Sequence, residues 1–341
     1  MNRPRTAGIV ATYNQAHYAA EAVAGFAGQV DELIVIDDCS SDDTPAVLAS
    51  LAHVPGLTVL RNEVQLGVSR SYRRAVEATS AEVLLIQGGD DRSLPRRAEV
   101  SVAALADPRV GFVYSLPVVI DGAGRRLPDW AGEEFAAGAD VHDDLTALFF
   151  RANYICAPSV ALRRADFLRL GGFRAGLDLL QDYELWLAIA AESTVVRVDE
   201  PLVEYRKHGT NLSREYVGID STRQRRLAAE DEVVRNGFLD RADDAVLERL
   251  AASVGVDLAS FRELGRDDRA CLIRLSHADR AVFRRGVSHA FTVAGGPDGE
   301  RRLAGLGLEL SDLEALAVRA DQENRGGVAQ ALGVRSLLGS A

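Results

Sequence analysis

Residues 84–95 read LLIQGGDDRSLP. Leu84, Leu85 and Ile86 form the end of a buried-strand run, and Gly88 and Gly89 let the backbone turn sharply. Asp90 and Asp91 follow at once. Two adjacent carboxylates repel one another unless water or a cation offsets them. One reading is a solvated turn in which an aspartate caps the next helix. The other is a divalent metal, because Mg²⁺ and Mn²⁺ take hard oxygen ligands. The motif alone leaves both open. It does establish that a strand ends here, and the flanking pattern defines the sheet.

Upstream, apolar runs alternate with helical spacing. Strands are expected at 8–12, 32–36, 57–60 and 83–86. Helices are expected near 16–27, after Asp43 or Thr44 with Pro45 at the first helical position, and over 69–79. Continuous apolar strands alternating with helices imply an α/β fold with a mostly parallel central sheet. Ligands on such sheets sit outside the carboxyl ends of the strands. The pair Asp37-Asp38 belongs on that edge with Asp90-Asp91.

From about residue 110 the pattern changes to isolated strands (111–115, 159–162, 195–198) with longer loops. The Gly- and Asp-rich stretch 121–140 reads as an irregular loop, long enough to carry function. Beyond about 220, Ala, Leu, Arg, Asp and Glu recur at helical spacing. The expected organisation is an α/β domain over 1–218 and a helical region over 219–341, serving packing, oligomerisation or an acceptor role.

The 341 residues suffice for one large domain or two ordinary ones, and 47% apolar with 26% charged residues is a globular balance. A net charge of -11 argues against nucleic acid as a partner, which calls for a basic footprint. Cys39, Cys156 and Cys271 are far apart and odd in number, suggesting a reducing, cytoplasmic setting. No apolar run approaches a membrane span, so no transmembrane segment is expected. Peripheral contact with the inner face of a membrane is left open by the mixed charge of the helical region.

Three further motifs stand out. ATYNQAHY (11–18) and IDDCSSDDT (36–44) put acids at strand ends, where a carboxylate accepts hydrogen bonds from a base or ribose or shapes a turn. In LLQDYELWLAIA (179–190), Leu185, Trp186 and Ile189 form an apolar stripe and Asp182 lies at the helix start. That aspartate favours the helix dipole or acts as a general base from the helix mouth. In VEYRKHGTNLS (203–213), His208 opens a polar cluster with Gly209, Asn211 and Ser213 directly after a strand.

In this order, ATYN, IDDCSSDDT, NEVQLGVSRS (62–71), GGDD, GGF (171–173), QDYELWLAIA and YRKHGTNLS resemble the family-2 glycosyltransferases of the GT-A fold, a Rossmann-like architecture. The resemblance covers about residues 5–215. It implies inverting transfer of a sugar from a nucleotide-diphosphate donor, such as a UDP-sugar, with Mn²⁺ or Mg²⁺. The acceptor would be a sugar, a lipid-linked sugar or a small molecule, as in polysaccharide or cell-wall biosynthesis, and a homo-oligomer is compatible.

By motif, Thr12, Tyr13, Asn14, Asp38, Gly67 and Asp90 match donor and nucleotide positions. Asp91 and His208 match the metal end, and Asp182 the catalytic base. Gly171, Gly172 and Trp186 fall on the acceptor side. The chain departs from the pattern at three places. Gly88 stands where the acidic motif has a further aspartate, and Gln181 replaces the glutamate before the base. Tyr72-Arg73 stands where an Arg-Asn pair is usual. The competing readings are a non-catalytic nucleotide-sugar-binding scaffold and a sugar-phosphate nucleotidylyltransferase. The latter wants a Gly-rich basic loop after the first strand, which ATYNQAHY lacks.

Overall fold

A computed structural model describes residues 3–136, 143–209, 211, 221–261 and 263–321. These divide into two compact units, one drawn from 1–144 and 153–219, the other from 145–152 and 220–341. The expected boundary near 216–222, the end of the loop 121–140, and Thr210, Leu212 and Ser213 of the histidine motif lie at least partly outside the described residues.

The first unit is built on seven strands in the order β3-β2-β1-β4-β8-β6-β9. They are β1 (Thr6–Thr12), β2 (Glu32–Asp37), β3 (Leu57–Arg61), β4 (Val83–Gly88), β6 (Val110–Ser115), β8 (Ala161–Arg163) and β9 (Thr194–Val198). The first four and the β6–β9 pair run parallel, as expected from their continuous apolar runs. β8 enters antiparallel between β4 and β6. A second sheet joins β5 (Arg92–Ser93), β10 (Val203–Lys207) and β7 (Val118–Asp121), with β10 central. It carries the chain after the acidic motif alongside the strand that leads into His208.

Helix Ala19–Phe26 shows why the sheet is covered. Ala19, Ala22, Val23 and Phe26 recur at i, i+3, i+4 and i+7 and are all buried. They pack with Val10, Leu33, Val35, Leu85 and Val113 in one core. Fully burying Phe26 contributes about 1.5–3 kcal/mol. The helix begins later than the sequence suggests because Asn14 adopts a left-handed φ of 53°. The chain then turns through Gln15, whose carbonyl accepts Tyr18 N–H at 2.9 Å. The loop after 121 is partly ordered into a 3₁₀ turn (Asp129–Gly132) and a short helix (Glu133–Ala136).

The second unit is helical, with Ser221–Arg241, Asp244–Ser253, Arg266–Leu275, Arg280–Ala294, Gly299–Gly305 and Leu310–Asp321. Asp243 and Asp279 cap two of these helices through their side chains. Leu239, Leu247, Ile273, Val282 and Leu306 form its interior. Among the described residues no helix is long and apolar enough to cross a membrane.

Candidate active site

The carboxyl ends of β1, β2 and β4 lie side by side, and three loops meet there. Gly89 N–H donates to Ala11 O at 2.9 Å. A Cβ on Gly89 would stand 2.5 Å from the Thr12 Cβ, so the acidic turn passes β1 at a distance only glycine allows. Thr12 is buried, and its hydroxyl donates to Gln15 Oε1 at 2.9 Å. Asn14 ties this loop to the next: its side-chain oxygen accepts Ser41 N–H, and its own N–H donates to the Ser40 hydroxyl. Tyr13 projects outward from this segment and is 40% exposed.

Asp38 is buried at the end of β2. It accepts from Asn62 Nδ2 at 2.6 Å and from the N–H groups of Leu66 and Gly67, both at 2.8 Å. Its carboxylate therefore latches the loop 62–67. Gly67 closes that loop at a φ of 84°, the left-handed conformation that starts helix Val68–Glu77.

At the acidic pair the structure distributes roles in a way the sequence does not suggest. His208 Nε2 lies 2.9 Å from Asp90 Oδ2, so the imidazole faces Asp90 rather than Asp91. Asp91 is buried, and its Oδ1 accepts the Arg206 backbone N–H at 2.9 Å. Burial, and then the negative charge of Asp90, push the Asp91 carboxyl well above the usual aspartate range.

Arg206, 1% exposed, is the strut of this corner. Its Nε donates to Asp90 O at 2.7 Å and its Nη2 pairs with Glu21 at 2.5 Å. The guanidinium also sits 4.6 Å from the centre of the Tyr18 ring. Tyr18 in turn stacks near the His208 ring at 4.8 Å. Gln87, at the end of the apolar run in β4, is wholly buried and donates to Asp91 O at 3.1 Å.

Among the described residues no set of three or more His, Cys, Asp or Glu side chains is arranged to hold a metal ion. The donor set nevertheless fits one. Two adjacent, buried carboxylates supply hard oxygens, and a cation would offset their burial and mutual repulsion.

The third element is Asp182, at the N-cap of helix Tyr183–Glu192 and 7% exposed. Trp186 Nε1 donates to its Oδ2 at 3.2 Å and Asn153 Nδ2 to its Oδ1 at 3.3 Å. Burial pushes its pKa up to about 6, against those two hydrogen bonds. Trp186 corrects an expectation: it is fully buried, its ring tilted against Phe112 with centroids 5.0 Å apart, and cannot touch an acceptor. It orients Asp182 instead.

Gly171 and Gly172 both take left-handed φ values, 92° and 69°. Gly171 O accepts from Arg73 at 3.2 Å, and the Ser69 hydroxyl donates to Arg174 O at 3.1 Å. The glycine loop is thus fastened to the helix that Gly67 begins. Beside Asp182, Gln181 Oε1 is buried and has no hydrogen-bond partner among the described residues. Tyr72 links the whole site. Its hydroxyl donates to Gln87 O at 2.7 Å and is held far above its ordinary range by burial, then by Asp91, Asp90 and, more weakly, Asp182. Asp90, Asp91 and Asp182 thus all lie close enough to Tyr72 for their charges to act on its hydroxyl.

Sequence reasoning missed Arg206, Tyr18, Glu21, Asn153 and Gln87. Arg206 and Gln87 lie inside motifs quoted above, and a polar residue inside an apolar strand run was the available signal.

The sequence profile described as Glycosyl transferase family 2 matches residues 9–168. An uncharacterized glycosyltransferase of Haemophilus influenzae is 26% identical over 56% of this chain and 62% of its own length. The chain spans 58% of a further relative, an uncharacterized Mycobacterium tuberculosis protein at 29% identity. Among solved structures, S. aureus TarS 1–349 in complex with UDP-GlcNAc superposes with a TM-score of 0.57 at 16% identity, over 94% of this chain and 93% of that one. The mannosyltransferase PcManGT from Pyrobaculum calidifontis, in complex with GDP-Man and Mn²⁺, gives 0.55 at 18% identity, over 94% and 86%. Those two likenesses are of fold, and the fold is GT-A. Over 9–168, just under half of the chain, the sequence is similar to glycosyl transferase family 2.

Proposed function

We propose that this chain transfers a sugar from a nucleoside-diphosphate donor to an acceptor hydroxyl, with inversion at the anomeric carbon and with a divalent cation at the donor. The observation that carries this reading is Asp182: a buried carboxylate with a pKa of about 6, sharing the surroundings of Tyr72 with Asp90 and Asp91. A base of that strength is ionised at neutral pH yet basic enough to take a proton in a transition state.

Asp90 and Asp91, with His208 bracing Asp90, would hold Mn²⁺ or Mg²⁺, which when bound supplies positive charge for the departing diphosphate. That PcManGT is solved with GDP-Man and Mn²⁺, and TarS with UDP-GlcNAc, supports a nucleotide-sugar donor and a cation of this kind. Tyr13 offers a face for the base, and the latch of Asp38 on Leu66 and Gly67 shapes the wall beside it. Asp182 accepts the proton of the acceptor hydroxyl as that oxygen bonds to the anomeric carbon. The bond from that carbon to the diphosphate oxygen breaks on the opposite face, so one displacement inverts the centre. Trp186 and Asn153 keep the carboxylate oriented. The acceptor is a sugar, a lipid-linked sugar or a small molecule bearing the hydroxyl.

The test is Asp182→Asn with donor binding and transfer measured separately. Transfer is expected to fall while nucleotide binding stays within a few-fold. Lost binding with intact turnover per bound donor would contradict the role of Asp182.

A further inference from the structure

Gly88 stands where the resembling family carries one more aspartate, and from the sequence it reads as a lost ligand. The geometry points to the opposite: we propose that glycine at 88 is a spatial requirement of this donor site. The site works through two converging carboxylates that any side chain at 88 would displace. This rests on the reading of the site as one for a cation and a nucleoside diphosphate.

A Cβ placed on Gly88 would lie 2.8 Å from Asp90 Oδ1 and 2.9 Å from Asp91 Oδ2. Both are inside van der Waals contact. The two oxygens thus converge on the space left by the missing side chain. Free carboxylates would swing aside at little cost, but each of these is pinned by its other oxygen. Asp90 Oδ2 lies 2.9 Å from His208 Nε2 and accepts from Asn211 Nδ2 at 3.3 Å. Asp91 Oδ1 accepts the Arg206 N–H at 2.9 Å.

The pins are themselves fixed. Arg206 is locked by Glu21, Tyr18 and the Asp90 carbonyl, and Asn211 donates to Arg206 O at 2.7 Å. Gly88 is paired in the sheet with Ala11 and has no left-handed φ. Space, rather than backbone freedom, is therefore what glycine supplies. Asp90 Oδ1 and Asp91 Oδ2 are the oxygens that His208, Asn211 and Arg206 do not hold, and they are the two that a Cβ would strike. An aspartate at 88 adds a charge but dislodges both.

The experiment titrates Mn²⁺ into wild type, Gly88→Ala and Gly88→Asp, reading free Mn²⁺ by electron paramagnetic resonance. It is run with Mn²⁺ alone and with UDP or GDP present, with melting temperature as the folding control. Both variants are expected to bind Mn²⁺ about 10–100-fold more weakly than wild type, the range seen when groups around a metal site are disturbed. Gly88→Ala adds no charge, so it decides the matter should Gly88→Asp not fold. Equal or tighter binding by a folded variant overturns the inference alone. A wild type that binds no Mn²⁺ under any of these conditions overturns the cation reading of the site, and this inference with it.

Discussion

In the helical unit, Asp268 is buried against an arginine and a histidine: Arg302 reaches both its oxygens at 2.9 Å and His289 lies 2.7 Å away. In the α/β unit, Asp182 is also buried, but among the described residues its hydrogen bonds come from uncharged donors: the Trp186 indole, the Asn153 amide and the backbone N–H groups of Asp182 and Tyr183. Burial alone would raise both. For Asp268 the bonds from Arg302 and His289 outweigh it and hold the carboxyl below its usual range. For Asp182 burial wins and the value climbs to about 6. A charge matched by opposite charges is a structural device. One left short of them costs stability and persists where chemistry needs it.

The sharpest way to break this comparison is to neutralise both acids. Asp182→Asn should lower transfer about 10²–10⁴-fold, the usual contribution of a general base. Asp268→Asn should leave turnover per folded molecule unchanged. A steady-state assay of nucleoside-diphosphate release, normalised to folded protein, compares them.

The same variants should move stability in opposite directions. The folded pKa of Asp182, about 6, lies above its ordinary value of 3.8. Ionisation therefore costs stability, a cost that grows as pH rises between those values and is complete above about 6. Asp182→Asn escapes it and should gain up to about 3 kcal/mol at pH 7.5, at 1.36 kcal/mol per pH unit. The gain should vanish by about pH 4, as urea unfolding at the two pH values will show.

Asp268 works with the reverse sign, because its folded value is depressed. Its contribution is present above the ordinary aspartate value and is lost as pH falls through the lower, folded one. Asp268→Asn should therefore destabilise at pH 7.5, by about 1.5–3 kcal/mol for hydrogen bonds to a charged group. The smallest effect expected is that of Trp186→Phe. It removes a hydrogen bond that favours the carboxylate, so the acid limb of the kcat/KM profile should move to higher pH. An unmoved limb would deny Trp186 its orienting role.

Much of this was readable before the structure. The strands β1 to β4 announce themselves as continuous apolar runs, and Asp90, Asp91, Asp182 and His208 stand out as charged or titratable residues at the ends of apolar elements. What stayed hidden depends on pairings between distant segments. Nothing local in 161–163 says that β8 enters antiparallel between β4 and β6. The apolar helix around 145–150 reads as part of the α/β unit, yet residues 145–152 group with the helical one, where Arg235 and His277 bond to Phe149 O. Trp186 sat on a plausible apolar stripe, and its spacing of four from Asp182 was the overlooked clue to their bond. Arg206 looked like one more strand charge. Only the packing of Tyr18, Glu21 and the acidic turn around it shows why it is buried.

The most direct test of the account needs neither donor nor acceptor. In ¹³C-labelled protein, the Asp182 carboxyl resonance, assigned by its disappearance in Asp182→Asn, is followed by NMR from acid to neutral pH. The account predicts a midpoint near pH 6. A midpoint at or below the ordinary aspartate value of 3.8 would mean that Asp182 is as well compensated as Asp268, and that it is not the poised base of this site.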